Sequence, residues 1–294
     1  MLQNLDMNQS KTFVGFSKSG QPDALTASSA AECLSERDPE RKCVLVASLA
    51  ERWRQGSLTA GAAAGWEPIE EPGRPERPAL VPPRLLPRRG LHDSRGRAAL
   101  LHAVAHIEFN AINLALDAVQ RFPDLPAAFH GDWIGVADEE ARHFGLMRKR
   151  LQALGADYGD LPAHDGLWQM AVKTAEDPLQ RMALVPRVLE ARGLDVTPGM
   201  MTRLREAGDE ESADVLAVIL RDEVGHVAIG SRWFRWLCDG RGLNPATTFL
   251  SLLADHFNGQ VRGPLNVDAR RRAGFDDAEL DALQELCEGV RARA

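Results

Sequence analysis

A glutamate followed three residues later by a histidine occurs twice in this chain, and that repeat constrains the fold more than any other feature. The pairs are Glu140 with His143 and Glu223 with His226, and a lone glutamate precedes each: Glu108 by 32 residues and Glu190 by 33. All six residues fall in segments of helical period, at residues 97–122, 133–154, 178–193 and 212–238. In the first, Leu101, Val104, Ala105, Ile112, Ala115 and Val119 form an apolar stripe that contains Glu108. Glu140 and His143 share a face with Val136, Ala137, Phe144, Met147 and Leu151. Glu190 lies with Leu179, Met182, Ala183 and Pro186, while Glu223 and His226 lie with Leu216, Ile219, Val227 and Gly230. Strand signals are nearly absent, so the pattern predicts an all-α chain built on a four-helix bundle, its two halves being one unit used twice.

Four carboxylates aimed at one core cannot stay ionised there unpaired, because desolvation and mutual repulsion each cost several kcal/mol. Two divalent cations would supply the balancing charge. Carboxylate plus imidazole suits iron first and manganese second, with zinc less suited to so oxygen-rich a set. A Glu from each of two helices and Glu-x-x-His from the other two is also a known ligand set of di-metal bundles.

The rest of the chain is organised around that unit. Residues 1–30 are polar and read as a disordered leader, and residues 31–90 as a small helical element followed by an arm. Seven of the chain's 17 prolines fall between Pro68 and Pro87, interleaved with Arg74, Arg77, Arg84, Arg88 and Arg89, so this stretch must be extended. Residues 91–243 form the bundle, with Asp132 expected to cap the second helix and Gly193 to end the third. Residues 244–294 hold further helices packed outside it, joined by an irregular arginine-rich run through Arg262 and Arg270 to Arg272.

A formal charge of −7 gives no overall pull toward nucleic acid, and no basic-aromatic platform appears. Cys33, Cys43, Cys238 and Cys287 form no CxxC pair, which fits a reducing compartment. No run approaches the roughly 20 apolar residues of a membrane span, and a cytoplasmic location is expected.

The runs His106-Ile107-Glu108, YGDLPAHDGLW, ALVPRVLEARGLD and RDEVGHVAIG resemble the ferritin-like superfamily, and within it a bacterial family of ferritin-like proteins. The resemblance spans about residues 72–275 and looks closest to the di-iron hydroxylases, such as the tRNA-modifying one. It implies a non-haem di-metal oxidoreductase that uses dioxygen and an electron donor to oxidise or hydroxylate a small molecule or modified group. Ferroxidase activity, manganese-catalase activity and a metal-stabilised scaffold are the alternatives, and a homodimer stays open. By the same resemblance Glu108 and His143 are terminal ligands of one metal, Glu190 and His226 of the other, and Glu140 and Glu223 bridge. The metal pair itself is then the catalyst, with no separate protein nucleophile. Glu139 and Asp222 would each receive the ring N–H of a ligand histidine from the neighbouring helix. His164, Asp165 and Trp168 are pocket candidates on the loop before the third helix, their alternative role being to cap and orient that helix. His106 is a further candidate, although two residues before Glu108 it sits on another side of its helix.

Overall fold

The computed structural model describes residues 24–86, 90–257, 261 and 263–291. Helices dominate these residues, and the only regular strands among them are β1 (Ala24–Leu25) and β2 (Leu58–Thr59), paired in parallel. Between the two strands lie α1 (Thr26–Ser35) and α2 (Pro39–Arg54). The start of α2 follows from its sequence: Asp38 accepts the Arg41 N–H at 2.8 Å, and Pro39 sits where a missing N–H costs nothing. Most of the expected leader, together with Arg88, Arg89 and Arg262, lies outside the described residues. Residues 24–30 of that leader are not free, since they form β1 and the first half of α1.

Two long helices follow, α3 (Ser94–Arg121) and α4 (Ala127–Ala153), and pack on one another. Asp93 opens α3 by accepting the Gly96 N–H at 2.7 Å. Among the described helices α3 alone is long and apolar enough to cross a membrane, but most of its apolar stretch is buried within the fold. The expected cap at Asp132 is corrected: α4 begins six residues after Arg121, directly behind Pro126, because Phe129 and His130 are buried and extend its inner face. Asp132 lies inside the helix and accepts the Trp233 indole N–H at 2.7 Å.

After α5 (Gly166–Lys173), the third helical run divides into α6 (Pro178–Leu184), a π-helical segment Val185–Glu190 and α7 (Ala191–Glu206). Pro186 has no N–H for the carbonyl one turn back and its ring needs room there, and a widened turn meets both demands. Gly193 therefore does not end the run, which continues past Pro198 and stops before Gly208 at φ +75°. The next helix, α8 (Glu210–Gly240), packs on α7, on the π segment and on α4. A Cβ on Gly230 would lie 2.3 Å from Pro186 Cγ, so glycine is what lets α8 rest against the proline ring.

Outside these helices α1 lies on α3 and α2 on α4, while α9 (Pro245–Phe257) contacts α6 and α8. The run expected to be irregular at Arg270 to Arg272 is helical, as α10 (Val267–Arg272), and α11 (Asp277–Arg291) closes the chain. The proline-rich arm is tied down rather than loose. Trp66 donates to Gln120 O at 2.9 Å, and the Gln120 amide bonds Ile69 through both its groups at 2.9 Å. Fully buried Lys42 donates to Leu34 O at 3.0 Å, Gly73 O at 2.9 Å and Asn113 Oδ1 at 2.5 Å, pinning the arm to α1 and α3.

Candidate metal centre

Glu108 reaches the interior from α3, Glu140 and His143 from α4, Glu223 and His226 from α8, and Glu190 from the last position of the π segment. Glu140 and His143 are 0% exposed, and Glu108, Glu223 and His226 are also buried. Glu108, Glu140, His143 and Glu223 each offer a ligand atom, and these atoms lie within 4.8 Å of one another. His226 joins from the other side, its Nδ1 2.8 Å from Glu140 Oε1, while His143 Nδ1 is 3.4 Å from Glu140 Oε2 and 3.3 Å from Glu108 Oε2. The Glu140 carboxylate thus lies between the two imidazoles. Glu190 stands at the edge of the group, near enough for the charges of Glu223 and Glu140 to act on it.

Each imidazole is held from behind by an acid of the opposite helix. His143 Nε2 lies 3.2 Å from Asp222 Oδ2, and His226 Nε2 lies 2.8 Å from Glu139 Oε2. Hydrogen bonding from His226 pulls the Glu139 carboxyl down, so it is an anion that can only accept. The proton is therefore on Nε2, and Nδ1 faces the carboxylates with its lone pair available when the ring is neutral.

The inner groups are electrostatically frustrated. Burial, then the neighbouring Glu140 charge, raises Glu108 well above the usual carboxylate range, and burial followed by Glu223 does the same to Glu190. Glu223 is raised by burial and by Glu140. Glu140 goes the other way: burial opposes ionisation, but the two flanking imidazoles outweigh it and keep it charged. Burial likewise disfavours protonated His143, yet Glu108 and Glu140 beside it lift its pKa to about 10, and His226 is raised by Glu140 and Glu139. In the absence of a cation, protons carry the positive charge that this cluster requires.

Hydrogen bonding does not account for the cluster. Glu108 Oε2, both Glu140 oxygens, His143 Nδ1, Glu190 Oε2, Glu223 Oε2 and His226 Nδ1 are buried without a hydrogen-bond partner, despite the short distances between them. These contacts are close in distance but out of line for N–H···O geometry. These seven atoms on six residues, all oxygen or imidazole nitrogen, form a buried donor set that could hold a metal ion. The donor set fits one or more hard or borderline cations.

The remaining candidates are elsewhere. His106 is buried on another side of α3, its Nδ1 2.9 Å from the Tyr158 hydroxyl and its Nε2 3.1 Å from His164 O. His164 accepts the Gly166 N–H at 3.1 Å just before α5, whose N-cap residue Asp165 makes no side-chain cap bond. Asp165 pairs with Arg74 at 2.6 Å, and the Arg74 guanidinium sits 5.8 Å from the ring of buried Trp168. Arg74 and Tyr158 were not among the expected site residues. The density of polar groups in the run from Tyr158 to Trp168 was a signal for them, but their partners are distant in sequence.

Known proteins are similar to this chain over most of its length. An "Uncharacterized protein" of Haemophilus influenzae is 48% identical over 219 residues, covering 72% of this chain and 76% of that protein. No solved structure matches the chain. The family model described as "Protein of unknown function (DUF455)" matches residues 35–281, and the chain belongs to that family.

Proposed function

We propose that the protein is a ferritin-like, non-haem di-metal oxidoreductase, with iron the first choice of metal and manganese the second. The observation that carries this reading is the set of seven buried, unpartnered oxygen and nitrogen atoms on Glu108, Glu140, His143, Glu190, Glu223 and His226. Glu108 and His143 would hold one ion, Glu190 and His226 the other, and Glu140 is suited to bridging because its two oxygens approach different imidazoles. Such a pair would supply dioxygen activation, with dioxygen as the oxidant of an organic substrate and an external donor supplying the electrons.

The chain's own residues set the conditions for that chemistry. Asp222 and Glu139 orient His143 and His226 and fix which ring nitrogen faces inward. Phe109 and Phe144 follow Glu108 and His143 directly, and their rings, 5.5 Å apart, help exclude water on that side. The π turn lets Glu190 enter from a helix that Pro186 would otherwise interrupt, and such turns are common at functional sites.

The test is dioxygen uptake by iron-loaded, anaerobically reduced protein. Uptake faster than that of free ferrous ion, lost in His226→Ala, is expected. Metal-loaded protein that consumes no dioxygen would sink the oxidoreductase reading, and fast peroxide dismutation by the manganese form would redirect it to catalase chemistry.

A further inference from the structure

We propose that Asn266, Arg270 and Glu279 of the C-terminal segment are positioning residues for Glu190: they clamp the helical run that carries it on both sides, and so set the affinity of one of the two metal subsites. The clamp stands on its contacts alone, and its effect on metal rests on the function proposed above.

The run that carries Glu190 is weakened at two points. Pro186 and Pro198 each lack the N–H that a helix donates to the carbonyl four residues back, which here belong to Met182 and Leu194. Glu190 lies between these breaks, at the last position of the π segment, so its backbone depends on support from another part of the chain.

On the far side of Glu190 the support comes from the start of α10. Asn266 Nδ2 donates to Leu194 O at 3.1 Å, replacing the donor that Pro198 lacks, and the Asn266 N–H donates to Asp195 Oδ1 at 2.9 Å. Arg270 adds a forked pair of bonds to the Asp195 carboxylate, from Nε to Oδ1 at 3.0 Å and from Nη2 to Oδ2 at 2.7 Å. Its Nη2 also reaches the carbonyl of Ala191, the residue after Glu190, at 3.4 Å.

On the near side the anchor is Arg187, three residues before Glu190. Arg187 and Glu279 are both 0% exposed, and Arg187 Nη2 donates to Glu279 Oε1 at 2.6 Å. The guanidinium lies 4.2 Å from the ring centroid of Phe249, 4.5 Å from that of Phe275 and 4.7 Å from that of Phe234. Such a pair tolerates little displacement, because moving either partner leaves a buried charge uncompensated. Glu190 is thus bracketed by two ion pairs, each joining its own run to α10 or α11. Glu108 and His143 stand on α3 and α4, whereas α10 packs on α7 and α8, and α11 on α9 and α10, so the clamp acts on one half of the centre.

The test uses the full chain and two variants. Asn266→Ser keeps a side-chain oxygen for the Ala269 N–H at the start of α10 but removes the amide that donates to Leu194 O. Glu279→Gln keeps an acceptor for Arg187 and removes its charge. In metal-free protein, hydrogen exchange over residues 187–195 should quicken about tenfold or more in Asn266→Ser, with α3 and α4 unchanged. In a Mn²⁺ titration followed by EPR, the wild type should bind about two ions whose coupling broadens the signal. Either variant should bind the second ion about tenfold or more weakly and show the resolved hyperfine lines of an isolated Mn²⁺. Should Glu279→Gln fail to fold, Asn266→Ser alone decides.

Unchanged exchange over residues 187–195 in Asn266→Ser overturns the clamp, whatever the metal does. Faster exchange with both manganese affinities unchanged, or lowered equally, marks a structural role only and overturns the effect on metal. A wild type that binds no manganese overturns the metal reading and with it the effect on affinity, while exchange still decides the clamp.

Discussion

Glu139 and Asp222 can be altered without touching the six inner residues, which makes them the sharpest probes at the scale of single side chains. Glu139→Gln and Asp222→Asn should each weaken metal binding about 10–100-fold by freeing an imidazole, with the fold unchanged by circular dichroism. The inner protons provide a second test. His143 titrates at about 10, and Glu108, Glu190 and Glu223 are raised, so at neutral pH a cation must displace protons from them. Metal binding should therefore release protons and tighten as pH rises through neutrality towards the His143 value, measurable by calorimetry in buffers of different ionisation enthalpy. The six inner residues were legible because a carboxylate inside an apolar stripe is conspicuous at helical period. The pairing of Asp222 with His143 and of Glu139 with His226 depends on which helices face each other, and one chain of letters does not carry that. His164, Asp165, Trp168 and His106 looked equally polar in sequence, yet they gather around Arg74 and Tyr158 on another side of α3.

Among the elements, the π segment is the least legible and the most consequential. Helical periodicity over residues 178–193 is plain, but the proline that widens the turn is accommodated by Gly230 on a distant helix, and Gly193 is a plausible stop that the buried Leu194 overrides. Gly230→Ala places a Cβ 2.3 Å from Pro186 Cγ and should cost about 1–3 kcal/mol in chemical denaturation. Pro186→Ala restores an N–H and removes the reason for the wide turn. It should shift Glu190 and weaken binding of one metal while the other, held from α3 and α4, persists; equal loss of both would contradict this role for the turn.

At the scale of the molecule, one buried lysine joins α1, the arm and α3, in addition to the bonds of Trp66 and Ile69 to Gln120. Burial lowers the Lys42 ammonium to about 7, and its three acceptors come from α1, the arm and α3. Lys42→Met would take this donor from Gly73 O and Asn113 Oδ1, while Leu34 O keeps the Gly73 N–H at 2.8 Å, and should cost about 2–3 kcal/mol, with the arm becoming the first site of limited proteolysis. Composition predicts an extended stretch over residues 68–87, but Pro83–Leu85 form a 3₁₀ turn; an extended segment can float or dock, and docking here uses, beside Trp66 and Gln120, a lysine that reads in sequence as a surface residue of α2.

The most direct test of the account is metal content per chain after expression with iron and manganese, for the wild type, Glu140→Ala and His226→Ala. About two ions in the wild type, lost or sharply reduced in both variants, is the predicted result. A folded wild type that takes up no metal, or variants that retain it in full, would contradict the claim that this buried cluster exists to hold cations.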